Sequence, residues 1–83
     1  GTQVLKVKIE DGDPAKIHEK INALGSVQSV REIDNHRFEV KSAADLSSNR
    51  AIFDLCKNEG WTLTEMIPFE TKLEDIFRNL TVK

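Results

Sequence analysis

Apolar and polar residues alternate at the start of the chain, and this pattern predicts a β-strand. Leucine, valine or isoleucine occupies every second position between Leu5 and Ile9, with lysine between them. Because the side chains of a strand point alternately to its two faces, one face of this strand, Val4 to Glu10, is expected to be buried. Asp11-Gly12 ends the alternation. Asp13 followed by Pro14 is typical of a helix N-cap and first turn.

The next residues have the apolar spacing of a helix and, after it, a pattern that predicts a strand. Ile17, Ile21 and Leu24 share one face of a first helix, and Gly25 is placed to end it. The stretch from Val27 to Ile33 predicts a second strand. Its apolar residues do not keep a single parity, and either a bulge or an earlier start of the strand would reconcile them.

The middle of the chain predicts a β-hairpin and a longer helix. Asp34-Asn35-His36 is a turn signal, and the alternation resumes from Arg37 to Lys41, with Phe38 and Val40 on the buried side. A helix is predicted from Ser48 to Glu59, ended by Gly60. Its expected apolar face consists of Leu46, Ala51, Ile52, Leu55 and Cys56.

A fourth strand is predicted from Trp61 to Ile67. Trp61, Leu63 and Ile67 are expected on one of its faces, and Thr62, Thr64 and Met66 on the other. Pro68 either stops this strand or marks it as an edge strand, because proline has no N–H to donate to a neighbour.

The chain closes with an amphipathic pattern that predicts a short helix beginning at Thr71. Thr71 and Glu74 have capping-box spacing, and acidic residues in the first turn suit the positive end of the helix dipole. The candidate functional motif lies here, and its apolar members have the spacing of one helical face: Leu73, Glu74, Asp75, Ile76, Phe77 and Leu80. This apolar stripe has to be buried, either in the core of the domain or against a partner.

The predicted element order is β-α-β-β-α-β-α. Two right-handed βαβ crossovers joined by a hairpin make an α+β domain of the ferredoxin-like split βαβ type, with a four-stranded antiparallel sheet, two helices on one face and an extra C-terminal helix. Eighty-three residues correspond to one small domain, 1–83. We interpret Gly1 as a tag remnant, and therefore expect a domain excised from a larger protein.

Composition and charge argue against several function classes. The net charge is −2 with both signs interspersed, so no overall field favours nucleic acid or acidic lipid. The outward positions of the predicted sheet are charged and lack the aromatic residues on which RNA bases stack. No apolar run has the roughly 20 residues needed to cross a bilayer. A lone cysteine fits a reducing compartment.

The residues offer no self-sufficient catalytic or metal site. No G-x-x-x-x-G-K-[ST] pattern is present, so phosphates cannot be held by a P-loop. His18, His36 and Cys56 lack the spacing of a metal-ligand set. Cys56 has the spacing of a core residue, and capping explains Glu74 and Asp75 more simply than acid–base chemistry does. We therefore predict a domain without enzymatic activity and without a cofactor of its own.

The C-terminal third resembles a known family. Gly60-Trp61-Thr62-Leu63, then Leu73-Glu74-Asp75-Ile76-Phe77 and Leu80-Thr81, is similar to the ending of ABC-2-type transporter ATP-binding subunits, in particular those associated with gliding motility. In these subunits a small α/β domain follows the nucleotide-binding domain and closes with an L-E-[DE]-[VI]-F-x-x-L-T helix. The chain matches that accessory domain in length and in element order.

The resemblance implies a context rather than a catalytic site. ATP and Mg²⁺ would bind to the upstream domain, since no position here matches the family's Walker or signature motifs. The implied partners are the ATP-binding domain of the same subunit and its dimer mate, with the permease contacted indirectly. The implied location is cytoplasmic, peripheral to the inner membrane through the transporter complex.

Two other readings stay open at the level of sequence. A stand-alone ACT-like module would bind a small molecule, and Asp11-Gly12-Asp13 has the position of the ligand loop in such modules. An N-cap followed by Pro14 is the simpler explanation of that loop. A purely structural domain would pair subunits through its sheet, whose face away from the helices would be covered by the closing helix or by a second copy.

Overall fold

The computed structural model describes residues 2–70 and contains, in that range, the first six predicted elements in the predicted order. They are β1 (Gln3–Ile9), α1 (Pro14–Asn22), β2 (Val27–Asp34), β3 (Arg37–Ser42), α2 (Asn49–Glu59) and β4 (Leu63–Glu70). The predicted closing helix, with Leu73, Glu74, Asp75, Ile76, Phe77 and Leu80, lies outside the described residues.

The four strands form one sheet in the order β2-β3-β1-β4, and every neighbouring pair is antiparallel. β1 and β2 therefore run parallel to each other with β3 between them. In the same way β3 and β4 run parallel with β1 between them. The domain is thus α+β, with a four-stranded antiparallel sheet and two helices.

Both helices pack against the same face of the sheet, which we call the inner face. Leu5, Val7 and Ile9 of β1 are at most 1% exposed, as the alternation of that strand predicts. One continuous core joins the inner face to the two helices: Leu5, Val7, Ile9, Ile17, Ile21, Val30, Phe38, Val40, Ile52 and Cys56. Burying this apolar surface is the main stabilising contribution available to so small a domain.

The prediction of which β4 side chains point to the core is wrong for the second half of the strand. A register shift against β1 lies between Lys8 and Ile9. As a result Leu63 and Met66 both pack against the core, although they differ in parity. Ile67 pairs with Lys6 on the opposite face and is 52% exposed. Strict alternation could not reveal the shift, because an extra residue in a strand inverts the facing of every residue after it.

Two predicted helix details are also wrong. Helix α1 ends at Asn22 with Ala23 as its C-cap, so Gly25 is not the residue that ends it. Leu46 is 49% exposed instead of belonging to the apolar face of α2. It precedes the N-cap Ser48, and the chain there is not helical, so helical spacing does not apply to Leu46.

Irregular features of β2 and β4 agree with the prediction. The pairing of β2 with β3 shifts register between Val27 and Ser29, and again between Glu32 and Asp34, so β2 is irregular, as the broken parity of its apolar residues indicates. Pro68 lies within β4, and β4 is an edge strand. Proline is tolerated in an edge strand because one side of such a strand makes no hydrogen bonds to a neighbouring strand.

Candidate functional site

The loop after β1 is closed by the residues that precede β4. The Asp11 carboxylate accepts a hydrogen bond from the Thr62 backbone N–H at 2.7 Å and another from the Thr62 hydroxyl at 3.0 Å. These bonds, the backbone bond first, lower the pKa of Asp11 below its ordinary value. They favour the charged carboxylate, and both of its oxygens are used within the domain.

Gly12 lies directly under the indole of Trp61. Its φ is +100°, and a Cβ built on it would lie 2.7 Å from Trp61 Nε1. Both facts require glycine, because other residues rarely adopt this φ and a side chain would collide with the ring. The Gly12–Trp61 contact and the Asp11–Thr62 hydrogen bonds together form what we call the loop clamp.

Polar residues beside the loop clamp are also paired. The Thr64 hydroxyl donates to Glu10 Oε2 at 3.0 Å, and Lys8 Nζ lies 3.4 Å from the same oxygen. The Thr64 hydrogen bond, followed by the Lys8 charge, lowers the pKa of the Glu10 carboxyl. The Glu10 backbone N–H donates to the Thr62 carbonyl at 2.9 Å. This end of the sheet is a network of internal contacts.

The histidines and the cysteine do not form one site. Cys56 is 2% exposed in the core, and desolvation together with the nearby Asp11 charge raises its pKa to about 11, which makes it a poor nucleophile. His18 Nε2 hydrogen-bonds the Val30 carbonyl at 3.1 Å. His36 lies in the hairpin turn with φ +62°. Within residues 2–70, no three His, Cys, Asp or Glu side chains are grouped as a metal site would require.

The second candidate surface is the outer face of the sheet, opposite the helices. Register aligns its side chains in three rows across the strands. The first row is Ser29, Lys41, Val4 and Phe69; the second is Arg31, Glu39, Lys6 and Ile67; the third is Asp34, Arg37, Lys8 and Glu65. The third row is entirely charged, whereas the apolar residues gather at one end of the face.

Ion pairs cover much of the charged part of the outer face. Arg31 Nη2 lies 2.7 Å from Glu39 Oε1, and Arg37 Nη2 lies 3.4 Å from Glu65 Oε2, across the intervening strand β1. Such exposed pairs contribute little to stability, about 0–1 kcal/mol each. Their effect is to neutralise the face locally, so this face does not present a uniform charge to a partner.

The apolar residues of the outer face, Val4, Ile67 and Phe69, form what we call the apolar corner. Val4 is 7% exposed, but Ile67 and Phe69 are 52% and 43% exposed. Lys6 Nζ lies 4.8 Å from the centroid of the Phe69 ring, within the range of a cation–π contact. A groove of about 660 Å³ extends from this corner towards β2, lined in part by Lys41, Glu39 and Arg31.

The sequence predicted the loop after β1 but not the contacts that form the loop clamp. Asp11-Gly12 was expected as a break after the first strand, and Trp61 and Thr62 only as strand residues. The contacts between them join positions about 50 residues apart, and no local pattern encodes such a contact. Gly followed by Trp in the resemblance to ABC-2-type subunits is the one signal that marked this segment.

The chain matches no protein-family model, and no curated protein or solved structure is significantly similar to it. Among the described residues, no helix has the length and apolar character needed to cross a membrane.

Proposed function

We propose that this domain is a non-catalytic accessory domain of an ABC-2-type transporter ATP-binding subunit. It would contact the ATP-binding domain of its own subunit or that of the dimer mate, and so bias dimer geometry or coupling to the permease. The sequence support is the Gly60–Leu63 stretch and the closing motif from Leu73 to Leu80. The segment Leu63–Phe77 resembles that of the gliding-motility-associated ATP-binding protein GldA.

The observation that carries the proposal is the loop clamp. Trp61 and Thr62, which belong to the stretch that resembles the family, contact Gly12 and Asp11 instead of facing a substrate. Their role in this domain is to join the loop after β1 to the start of β4. The loop clamp holds this stretch in one conformation. An accessory domain needs such a fixed shape if it is to couple contacts with one partner to contacts with another.

We also infer that the fold is the ferredoxin-like split βαβ. The support is the order β2-β3-β1-β4, with two β-α-β units interleaved so that each places its parallel strands on either side of a strand from the other unit. In the proposed subunit, ATP and Mg²⁺ bind to the upstream domain, and the complex is peripheral to the cytoplasmic side of the inner membrane. Nucleic acid and direct membrane insertion have no place in this function.

The first test is the coding sequence upstream of Thr2. The proposal requires an in-frame ATP-binding domain with a P-loop and a signature motif directly before this domain. A start codon at that point would contradict it, because the domain would then be a free-standing protein.

The groove on the outer face favours one alternative, an ACT-like small-molecule-sensing or dimerisation module. Its lining includes both cationic and anionic side chains, Arg31, Lys41 and Glu39, which could orient a zwitterionic ligand. A thermal-shift screen with amino acids and nucleotides tests this alternative, since a ligand that binds only the folded state raises the melting midpoint by mass action. A midpoint that no ligand raises would exclude the sensing role for the compounds screened.

A further inference from the structure

The edge strand β2 has backbone groups that point away from the sheet, and the hydrogen-bond pattern identifies them. In an antiparallel sheet the N–H and C=O of one residue point to one side of the strand, and those of the next residue point to the other side. The Ala43 N–H donates to the Ser26 carbonyl, so Lys41, two residues before Ala43, also bonds towards β2. The register partner of Lys41 is Ser29, which therefore bonds towards β3. The N–H and C=O of Val30 consequently face the free side of β2.

The other edge strand, β4, is blocked by proline. The Glu10 N–H donates to the Thr62 carbonyl, so the residues of β1 that alternate with it, including Lys6, bond towards β4. The register partner of Lys6 is Ile67, and the next residue, Pro68, therefore faces the free side. Proline has no N–H to offer an added strand at that position. The block on β4 is thus part of the backbone.

The free edge of β2 is closed by a side chain instead. His18 of α1 donates from Nε2 to the outward-facing Val30 carbonyl at 3.1 Å, because a carbonyl oxygen can only accept. His18 is exposed, so its ring can turn away without disturbing the core. The groove of the outer face reaches this edge, since its lining includes His18 and residues 29–32 of β2. Covering an edge in this way is a known means of preventing the addition of another strand.

Charge selects one register for the antiparallel pairing of two β2 strands through this edge. Val30 and Glu32 are the outward-facing residues in the regular part of β2, and they allow three registers. Pairing Val30 with Glu32 places Arg31 opposite Arg31, and the register centred on Glu32 places Glu32 opposite Glu32. Like charges directly opposite each other destabilise a strand pair. The register centred on Val30 places Val30 opposite Val30 and Arg31 opposite Ser29, and so avoids both repulsions.

We propose that the free edge of β2 is a docking surface for β2 of a second copy, and that His18 holds this surface closed. The favoured register is centred on Val30, whose carbonyl is the acceptor of the His18 hydrogen bond. Each copy gives up that bond when the strands pair, and the N–H and C=O of Val30 then bond to those of the other copy. The inference rests on the sheet register and the His18 contact, and it does not depend on the proposed transporter function.

Analytical ultracentrifugation of the full 83-residue chain over a concentration series tests the role of His18. His18→Ala is expected to lower the dissociation constant of the dimer by at least about fivefold, because neither copy has to break the hydrogen bond to Val30. Asn22→Ala is the matched control on the same helix, since Asn22 is also exposed and its side chain makes no hydrogen bond to another described residue. It is expected to behave as the wild type. Equal dissociation constants for the two variants, or monomers throughout for both, would overturn the proposal.

Amide hydrogen exchange followed by NMR locates the interface. In His18→Ala the Val30 amide is expected to exchange rapidly at low concentration, where monomers dominate, and to be protected at high concentration. The amides of Ser29 and Arg31 are expected to be protected at both, because they bond to β3. A dimer that leaves Val30 unprotected would be formed by another surface. Protection of Val30 in the monomer would mean that another part of the chain lies along this edge. Either result overturns the proposal.

Discussion

Gly12 shows how one residue connects backbone conformation to long-range packing. Its positive φ ends β1 in a direction that Asp13 and Pro14 can continue as a helix, and its missing side chain leaves space for the Trp61 indole. Two other glycines of the described chain lack one or both of these constraints. Gly60 has φ +75° but open space around its Cβ position, and Gly25 has neither constraint.

Alanine substitutions at these glycines separate the effect of a positive φ from the effect of the contact with Trp61. Gly12→Ala is expected to lower the free energy of unfolding by about 2–4 kcal/mol, from the unfavourable φ and the collision with Trp61. Gly60→Ala should cost about 1–2 kcal/mol, from φ alone. Gly25→Ala, the matched control, should be neutral or stabilise by up to about 1 kcal/mol. Urea denaturation measures all three. Equal stability of the Gly12 and Gly25 variants would show that Trp61 does not pack as described.

The Asp11 carboxyl predicts a pH dependence with a definite sign. Because its folded-state pKa is lowered, the hydrogen bonds from Thr62 stabilise the fold above the unfolded-state pKa, near 3.8, and this contribution is lost as pH falls through the folded-state pKa. The difference in urea midpoint between the wild type and Asp11→Asn should therefore shrink from pH 6 to pH 2. Glu10 titrates in both proteins and does not affect the comparison.

Titration by NMR tests whether the hydrogen bonds from Thr62 lower the pKa of Asp11. The Asp11 pKa should lie below 3.8 in the wild type and move part of the way back in Thr62→Val, which keeps the backbone donor. An Asp11 pKa at or above 3.8 in the folded wild type would be incompatible with the loop clamp.

A serine cluster fixes the start of α2 at the opposite end of the sheet from the loop clamp. Ser48 is the N-cap of α2, yet its side chain makes no capping hydrogen bond to the helix. Its hydroxyl lies 2.7 Å from Ser42 Oγ and 2.9 Å from Ser26 Oγ, and both Ser42 and Ser48 are fully buried. The hydroxyl thus joins α2 to β3 and to the start of β2.

Removing that hydroxyl should destabilise the domain. Ser48→Ala is expected to cost about 1–3 kcal/mol, because it leaves Ser42 buried with a hydrogen bond lost. Ser47→Ala is the control, since Ser47 is exposed and its hydroxyl donates to the partly exposed side chain of Asn49. Its expected effect is within about 0.5 kcal/mol. Thermal and urea unfolding of both variants check this, and a Ser48 variant as stable as the control would contradict the buried cluster.

The register shift in β4 can be tested by substitution on its two faces. Met66→Thr is expected to lower the free energy of unfolding by about 1–2 kcal/mol, because Met66 packs against the core. Ile67→Thr should cost clearly less, since Ile67 is 52% exposed and threonine suits a strand. Strict alternation predicts the reverse order, so urea denaturation of the two variants decides between them.

The facing of side chains was predictable from the sequence in regular elements but not in irregular ones. The alternation in β1 was sufficient to predict Leu5, Val7 and Ile9 as core, because strand period is a local property. The facing of Met66 and Ile67 was not predictable, because it depends on where β4 shifts against β1. The loop clamp escaped prediction for a related reason: Asp11 and Thr62 become neighbours only when the sheet has formed. The motif from Leu73 to Leu80 stays a prediction.

The two faces of the sheet differ in composition. The inner face and both helices form one core, whereas the outer face combines ion pairs with the apolar corner. We propose the helical layer as a surface for contact with the ATP-binding domain. There Phe53 of α2 is 57% exposed, which makes it the largest apolar group available for such a contact among the described helical residues.

We propose that this domain modulates a transporter ATP-binding subunit without taking part in ATP chemistry. The most direct measurement compares ATP turnover, dimerisation and transport of the intact subunit with those of a form truncated before Thr2. We expect the truncated subunit still to bind and hydrolyse ATP, with altered dimerisation or weaker coupling of hydrolysis to transport. Unchanged dimerisation, turnover and transport after truncation would contradict it.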